Sequence, residues 1–160
     1  MTLSGLTIID YHKGLAQAFH DINVQWIENM FVVEAHDAHV LSHPDEMIIE
    51  PGGAILFVAS PDQGILGTGA LMKSAEGEFE LTKMGVLETA RGLKAGEFLL
   101  RHLIERARLM TVKKLYLLTN HKCAAAIHLY EKLGFVHSEA IMRDYGHSYD
   151  RCDVAMEFPL

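Results

Sequence analysis

Residues 78–96 read EFELTKMGVLETARGLKAG, and the reading of the fold turns on them. The turn Glu76-Gly77-Glu78 leads into a strand pattern over residues 79–87. The stretch Arg91-Gly92-Leu93-Lys94-Ala95-Gly96 then opens a helical pattern over 93–110. That helix carries an apolar stripe at Leu99, Leu103, Ala107 and Met110. Its other face pairs Glu97 with Arg101 and Glu105 with Arg108. A glycine-flanked loop at a helix start presents free backbone N–H groups at the positive end of the helix dipole, which suits a phosphate.

The strand itself changes parity. Phe79 and Leu81 place apolar side chains on odd positions, while Met84 and Val86 place them on even ones, with Gly85 beside the switch. One extra residue, a β-bulge, produces that switch, and so does a strand covered on both faces. A bulge would turn backbone groups away from the neighbouring strand. Glu80 lies among apolar neighbours, where a carboxylate is costly unless paired or useful. It either pairs with Lys83 or an arginine, sits exposed at the sheet end, or serves in catalysis.

Outward from this stretch, the pattern Ala54–Ala59 and the run 65–72 read as strands joined by the turn 61–64. With the strand at 79–87 they make an antiparallel meander. A strand follows the central helix at 114–119, so strand, helix and strand form a parallel crossover. Upstream, 6–11 reads as a strand, 12–31 as a helix with a break near 21–23, and 34–42 as a second helix ending before His43-Pro44. Residues 44–53 read as loop. Downstream, 123–133 is a helix stopped by Gly134, a residue suited to the left-handed cap. Residues 135–141 and 152–158 read as closing strands around the polar loop RDYGHSYDR. The fold class is α/β: a mixed, mostly antiparallel sheet with one parallel crossover and helices on both faces. The whole chain, 1–160, is one domain.

Apolar residues at 49% and charged residues at 22% exclude a disordered chain. No apolar run reaches the ~20 residues of a membrane span, and the start lacks a basic region followed by a long apolar one, which points to the cytoplasm. A net charge of −7, from 14 basic and 21 acidic residues, argues against nucleic acid and leans toward a cationic acceptor. Cys123 and Cys152 do not form a CxxC pair and read as reduced thiols.

The segment TKMGVLETARGLKAGEFLLRHLIERA resembles motif A of the GNAT superfamily of acetyl-CoA-dependent N-acyltransferases, and LTNHKCAAAIHLYEKLGF resembles its motif B. The family loop runs Arg/Gln-x-x-Gly-x-Gly/Ala. Arg91 and Gly96 fill its ends, and Lys94 stands where the middle glycine is usual. The resemblance implies that Arg91, Gly92, Leu93, Lys94, Ala95 and Gly96 cradle the pyrophosphate of acetyl-CoA. It implies that the strand backbone at Met84, Gly85 and Val86 pairs with the pantetheine arm and polarises the thioester carbonyl. It gives Asn120 a contact to that arm and Tyr130 the role of proton donor to the leaving thiolate, against which stands a helix tyrosine packed on the sheet. Glu80 matches the place of a catalytic glutamate in some members.

Trp26, Phe31 and Glu34 fall where such proteins build the acceptor wall, with core packing the preferred reading for Trp26. The loop holding Tyr149 and Arg151 falls where the acceptor site is covered. His36, His39 and His43 could share a helix face; three imidazoles could hold zinc, but an exposed or acceptor-facing surface is the preferred reading, and no metal is expected. The implied function is acetyl transfer from acetyl-CoA to a primary amine of a small molecule or peptide, by direct attack in a ternary complex. The alternative is a non-catalytic acetyl-CoA-binding sensor on the same fold. No membrane partner is expected, and a homodimer fits the family.

Overall fold

The computed structural model describes residues 5–90 and 94–160. Arg91, Gly92 and Leu93, expected to cradle phosphate, lie outside the described residues. The chain runs β1 (Thr7–Asp10), α1 (Ala16–Met30), α2 (Ala35–Ser42), β2 (Ala54–Ser60), β3 (Gly64–Ala75), β4 (Glu78–Val86), α3 (Ala95–Leu109), β5 (Lys114–Thr119), α4 (Ala124–Leu133), β6 (Val136–His137), α5 (Glu139–Tyr145) and β7 (Val154–Phe158). The strands form one sheet in the order β1-β2-β3-β4-β5-β7-β6. Among the described residues only β4 and β5 pair in parallel, as the crossover through α3 requires.

Alternation along the strands divides the core into two faces. Leu56, Val58, Leu71, Phe79, Leu81, Leu115, Leu117 and Met156 pack with Leu99, Leu100 and Leu103 of α3. Ile55, Phe57, Ala70 and Met72 pack on the opposite face with Phe19 and Ile27 of α1 and Val40 and Leu41 of α2. Strand β2 is buried throughout Ala54–Ala59, which is why its sequence is a continuous apolar run rather than an alternating one. On the α3 face, Glu97 pairs with Arg101 at 2.8 Å and with Lys132 of α4 at 2.9 Å, fastening the two helices together.

Three expectations are corrected. Helix α1 runs unbroken past Asp21–Asn23, because Ile22 and Asn23 are buried on its core side and the Asn23 amide donates to Phe19 O at 3.0 Å within the helix. Residues Asp45–Ile49 form a π-helical turn rather than open loop, burying Ile48. The expected strand over 135–141 is reduced to Val136–His137. Ser138 then caps α5 by accepting from Ile141 N, and α5 lays Ile141 beside Tyr116 and Ala155. Gly134 does end α4 at φ +116°.

Strand β4 carries the bulge. Against β3, Ala70 faces Thr82 and Thr68 faces Gly85, so β4 spends three steps where β3 spends two. Lys83 absorbs the extra step in the left-handed region, at φ +53°. The parity switch is therefore real: Met84 and Val86 join Phe79 and Leu81 on the α3 face, while a Cβ on Gly85 would stand 2.4 Å from the Trp26 ring on the other.

Candidate active site

Strands β4 and β5 pair at only three positions, Glu78↔Lys114, Phe79↔Leu115 and Glu80↔Tyr116. Beyond them β4 bends at its bulge and the two strands part. The gap is a slit of about 390 Å³. Leu81 to Gly85 form one wall and Leu117 to Asn120 the other. The start of α4 stands on one side of the sheet and the end of α1, with Trp26, Met30 and Phe31, on the other.

Tyr130 reaches the slit from α4, its ring edge-on to Phe135 at 5.7 Å. Burial pushes its phenol pKa up, with Cys123 adding to the effect, so it holds its proton throughout the neutral range. Asn120 also lines the slit, but its side chain is engaged: its amide nitrogen donates to Arg151 O at 2.7 Å and its oxygen accepts from Lys122 N at 2.9 Å. It thereby joins the turn before α4 to the segment before β7.

Across the slit a buried polar network lies under the wall. Tyr149 lines the slit, and its hydroxyl donates to Glu80 Oε2 at 3.0 Å and lies 3.2 Å from Thr82 Oγ1. Lys83 Nζ donates to that hydroxyl at 3.3 Å and to Asp37 Oδ1 at 2.8 Å. Arg151 grips Asp37 with both terminal nitrogens, at 2.7 and 2.9 Å. Glu34 caps α2 and accepts from Asp150 N, Arg151 N and the Arg151 guanidinium. Glu80 is 4% exposed, and burial raises its carboxyl above the usual range against the pull of Lys83 and Tyr149. Burial pushes Asp37 in the same sense, but Arg151 and Lys83 outweigh it and hold that carboxyl well below its ordinary value. Burial, and then Glu80, push Tyr149 upward.

The expected residues thus divide. Trp26, Met84, Gly85, Asn120, Tyr130, Tyr149 and Arg151 converge on the slit. Glu80 stands one layer behind it, beneath the Tyr149 hydroxyl, and Glu34 is taken up in holding the 149–151 segment. Val86 ends β4, and Lys94, Ala95 and Gly96 open α3, outside the slit lining; Gly96 faces Val86 and Leu129. Lys94 takes the left-handed conformation itself, φ +58° and ψ +26°, as the residue that opens α3. His36 turns in against Tyr149, 5.4 Å between ring centres, and burial with Lys83 lowers its pKa. His39 and His43 pack on each other, and no group of three metal-ligating side chains comes together among the described residues.

Sequence reasoning missed Asp37, Thr82 and Lys122 and treated Lys83 only as a partner for Glu80. A lysine within an apolar strand was the available signal. Asp37 accepts locally from Glu34 N in the cap of α2, but its charged partners lie 46 and 114 positions away.

The same architecture recurs in solved structures. An acetyltransferase of the GNAT family from Staphylococcus aureus Mu50 is 22% identical, with a TM-score of 0.84 over 96% of this chain and 98% of that one. An acetyltransferase from Streptococcus agalactiae 2603 is 19% identical, with a TM-score of 0.80 over 98% and 99%. The spermidine N-acetyltransferase of Vibrio cholerae, in complex with CoA and spermine, is 17% identical, with a TM-score of 0.68 over 96% and 94%. A comparison with curated proteins gives no match. Residues 52–137, which hold the meander, the bulged strand, the crossover and α4, match the acetyltransferase (GNAT) domain model. With the parted strands of that fold and more than half of its length inside the match, the chain belongs to the GNAT acetyltransferase family.

Proposed function

We propose that the chain is an acetyl-CoA-dependent N-acetyltransferase that acetylates a primary amine of a small molecule or peptide by direct attack, with donor and acceptor held together. The observation that carries this reading is the parting of β4 from β5 at the bulge. It leaves a slit open toward α4 on one side of the sheet and toward α1 on the other, so two reactants can meet at one stretch of backbone.

The residues present fit acetyl-CoA. The β4 edge beyond Glu80 has no β5 ladder partner among the described residues and suits an extended arm added as a strand. The left-handed turn at Lys94 opens α3, where backbone N–H groups suit phosphate. When bound, acetyl-CoA supplies an acetyl group on a thiol leaving group. Backbone N–H groups of the bulged segment, at Met84 to Val86, are the donors for the carbonyl oxygen. Tyr130 holds a proton at its hydroxyl, in the slit, for the departing sulfur.

On the acceptor side, Tyr149 relays the amine proton. Its oxygen takes that proton as its own passes to Glu80, the group it already donates to. The raised pKa of Glu80 gives it a firmer hold on a proton near neutrality than an ordinary carboxylate has. Trp26 and Arg151 line the acceptor half.

Thiol release from acetyl-CoA, screened across amino acids, polyamines, aminoglycosides and peptides, tests the reading. Acceptor-dependent release is expected; acetyl-CoA binding without release for any amine would mark a sensor module. In the same assay Glu80→Gln is expected to lower kcat by about 10²-fold and to flatten the acid limb of the kcat/KM profile. Full activity of that variant at low pH would remove the relay.

A further inference from the structure

The slit wall and the layer behind it carry opposite charge. Lys83, Lys122 and Arg151 line the slit, and among the described residues no carboxylate does. The acidic groups stand behind and are already engaged. Asp37 is fully buried, with its oxygens taken by Lys83 and by two Arg151 nitrogens. Glu34 receives the Arg151 side chain and two backbone N–H groups. Glu80 lies under Tyr149, and its Oε2 is taken by the Tyr149 hydroxyl.

Lys122 differs from the other two cations. It is exposed, and none of the ion pairs among the described residues includes it. Its ammonium stands 5.6 Å from the centre of the Phe31 ring, and the Arg151 guanidinium stands 5.7 Å from the same ring. One end of the slit is thus an aromatic ring with two cations on it, one of them without an anionic partner. Beside it, Trp26 and Met30 offer apolar surface.

We infer that the acceptor is a small molecule bearing a carboxylate as well as its amine, the carboxylate received by Lys122 and Arg151 at the Phe31 end of the slit and the apolar body laid against Trp26 and Met30. The inference rests on the acyl-transfer reading of the slit. A carboxylate leaving water needs charged donors to replace its hydration, and the wall supplies them. The second ammonium of a polyamine would meet like charge there, with no carboxylate to receive it. The net charge of −7 points to a cationic acceptor; the wall has the opposite sign.

Trp26 is the chain's single tryptophan and lines the slit, so its fluorescence reports occupancy without turnover. Coenzyme A is first titrated by calorimetry, and absence of binding would bring down the acyl-transfer reading itself. The CoA-loaded protein is then titrated with L-leucine, L-leucinamide, isoamylamine and spermidine. Leucine is expected to saturate at a concentration at least about tenfold below the other three, and Lys122→Glu to abolish that preference while circular dichroism stays unchanged. Equal midpoints for leucine and leucinamide, tighter binding of spermidine, a preference that survives Lys122→Glu, or no response to any of the four would overturn the inference while leaving acyl transfer standing. A clear preference for leucinamide would overturn it in favour of a peptide N-terminus.

Discussion

Two lysines hold the left-handed backbone that glycine adopts most easily, and they do so at either end of the same stretch. Lys83 sits at the bulge with its ammonium buried against Asp37, so long-range pairing sustains its conformation. Lys94 is exposed, and α3 begins from it. The family's glycine at that place is therefore replaced without loss of the turn it serves, and a charge is added beside a helix start. Lys94→Gly separates the two contributions, because glycine keeps the backbone and removes the ammonium. We expect an unfolding midpoint equal to or slightly above that of the parent and a KM for acetyl-CoA raised by about tenfold with kcat unchanged. An unchanged KM would make Lys94 a solvated side chain with no hold on phosphate.

The slit is made by elements that the network draws together. Asp37 from α2, Lys83 from β4 and Arg151 from the segment before β7 meet at one carboxylate, and Glu34 ties the same helix start to residues 150 and 151. Asp37→Asn would leave Lys83 buried without its counter-charge, and we expect a loss of about 3–5 kcal/mol in urea unfolding at pH 7. The pH dependence follows from the direction of the shift. The folded-state pKa of Asp37 is depressed, so its stabilisation is complete above the unfolded value of about 3.9 and fades as pH falls below it. The gap between parent and variant should shrink from about pH 5 toward pH 2. A gap of constant size would show that the pair contributes shape and no charge linkage. Glu80 shifts the other way, so its contribution weighs against stability as pH rises through its titration.

These elements also show which parts of the molecule a sequence displays. The bulge was legible because it leaves a mark in the order of side chains, Leu81 then Met84, within one strand. The crossover and α4 were legible from periodicity and the glycine after Leu133. Strand 135–141 failed because Ser138 competes for the chain as a helix cap, a local hydrogen bond that apolar content does not register. Tyr149 and Arg151 were reachable only through the resemblance. The ion pairs of Asp37 were not reachable, since they exist only once α2, β4 and the segment before β7 are packed.

At the scale of the whole molecule, the proposed reaction assigns the two faces of the sheet to different halves of the chemistry. The α3 and α4 face carries the helix start and Tyr130; the α1 and α2 face carries Trp26, Phe31 and the network around Tyr149. The slit lets them meet because the sheet opens between β4 and β5. If chemistry occurs there, the tyrosine on the α4 side must affect turnover without governing donor binding. The deciding measurement is kcat for Tyr130→Phe by thiol release across pH, with the Kd for acetyl-CoA measured on the same protein. A kcat lower by about 10²-fold, with Kd within about threefold of the parent, is the predicted result. An unchanged kcat at every pH would contradict the placement of the reaction in the slit beside Tyr130.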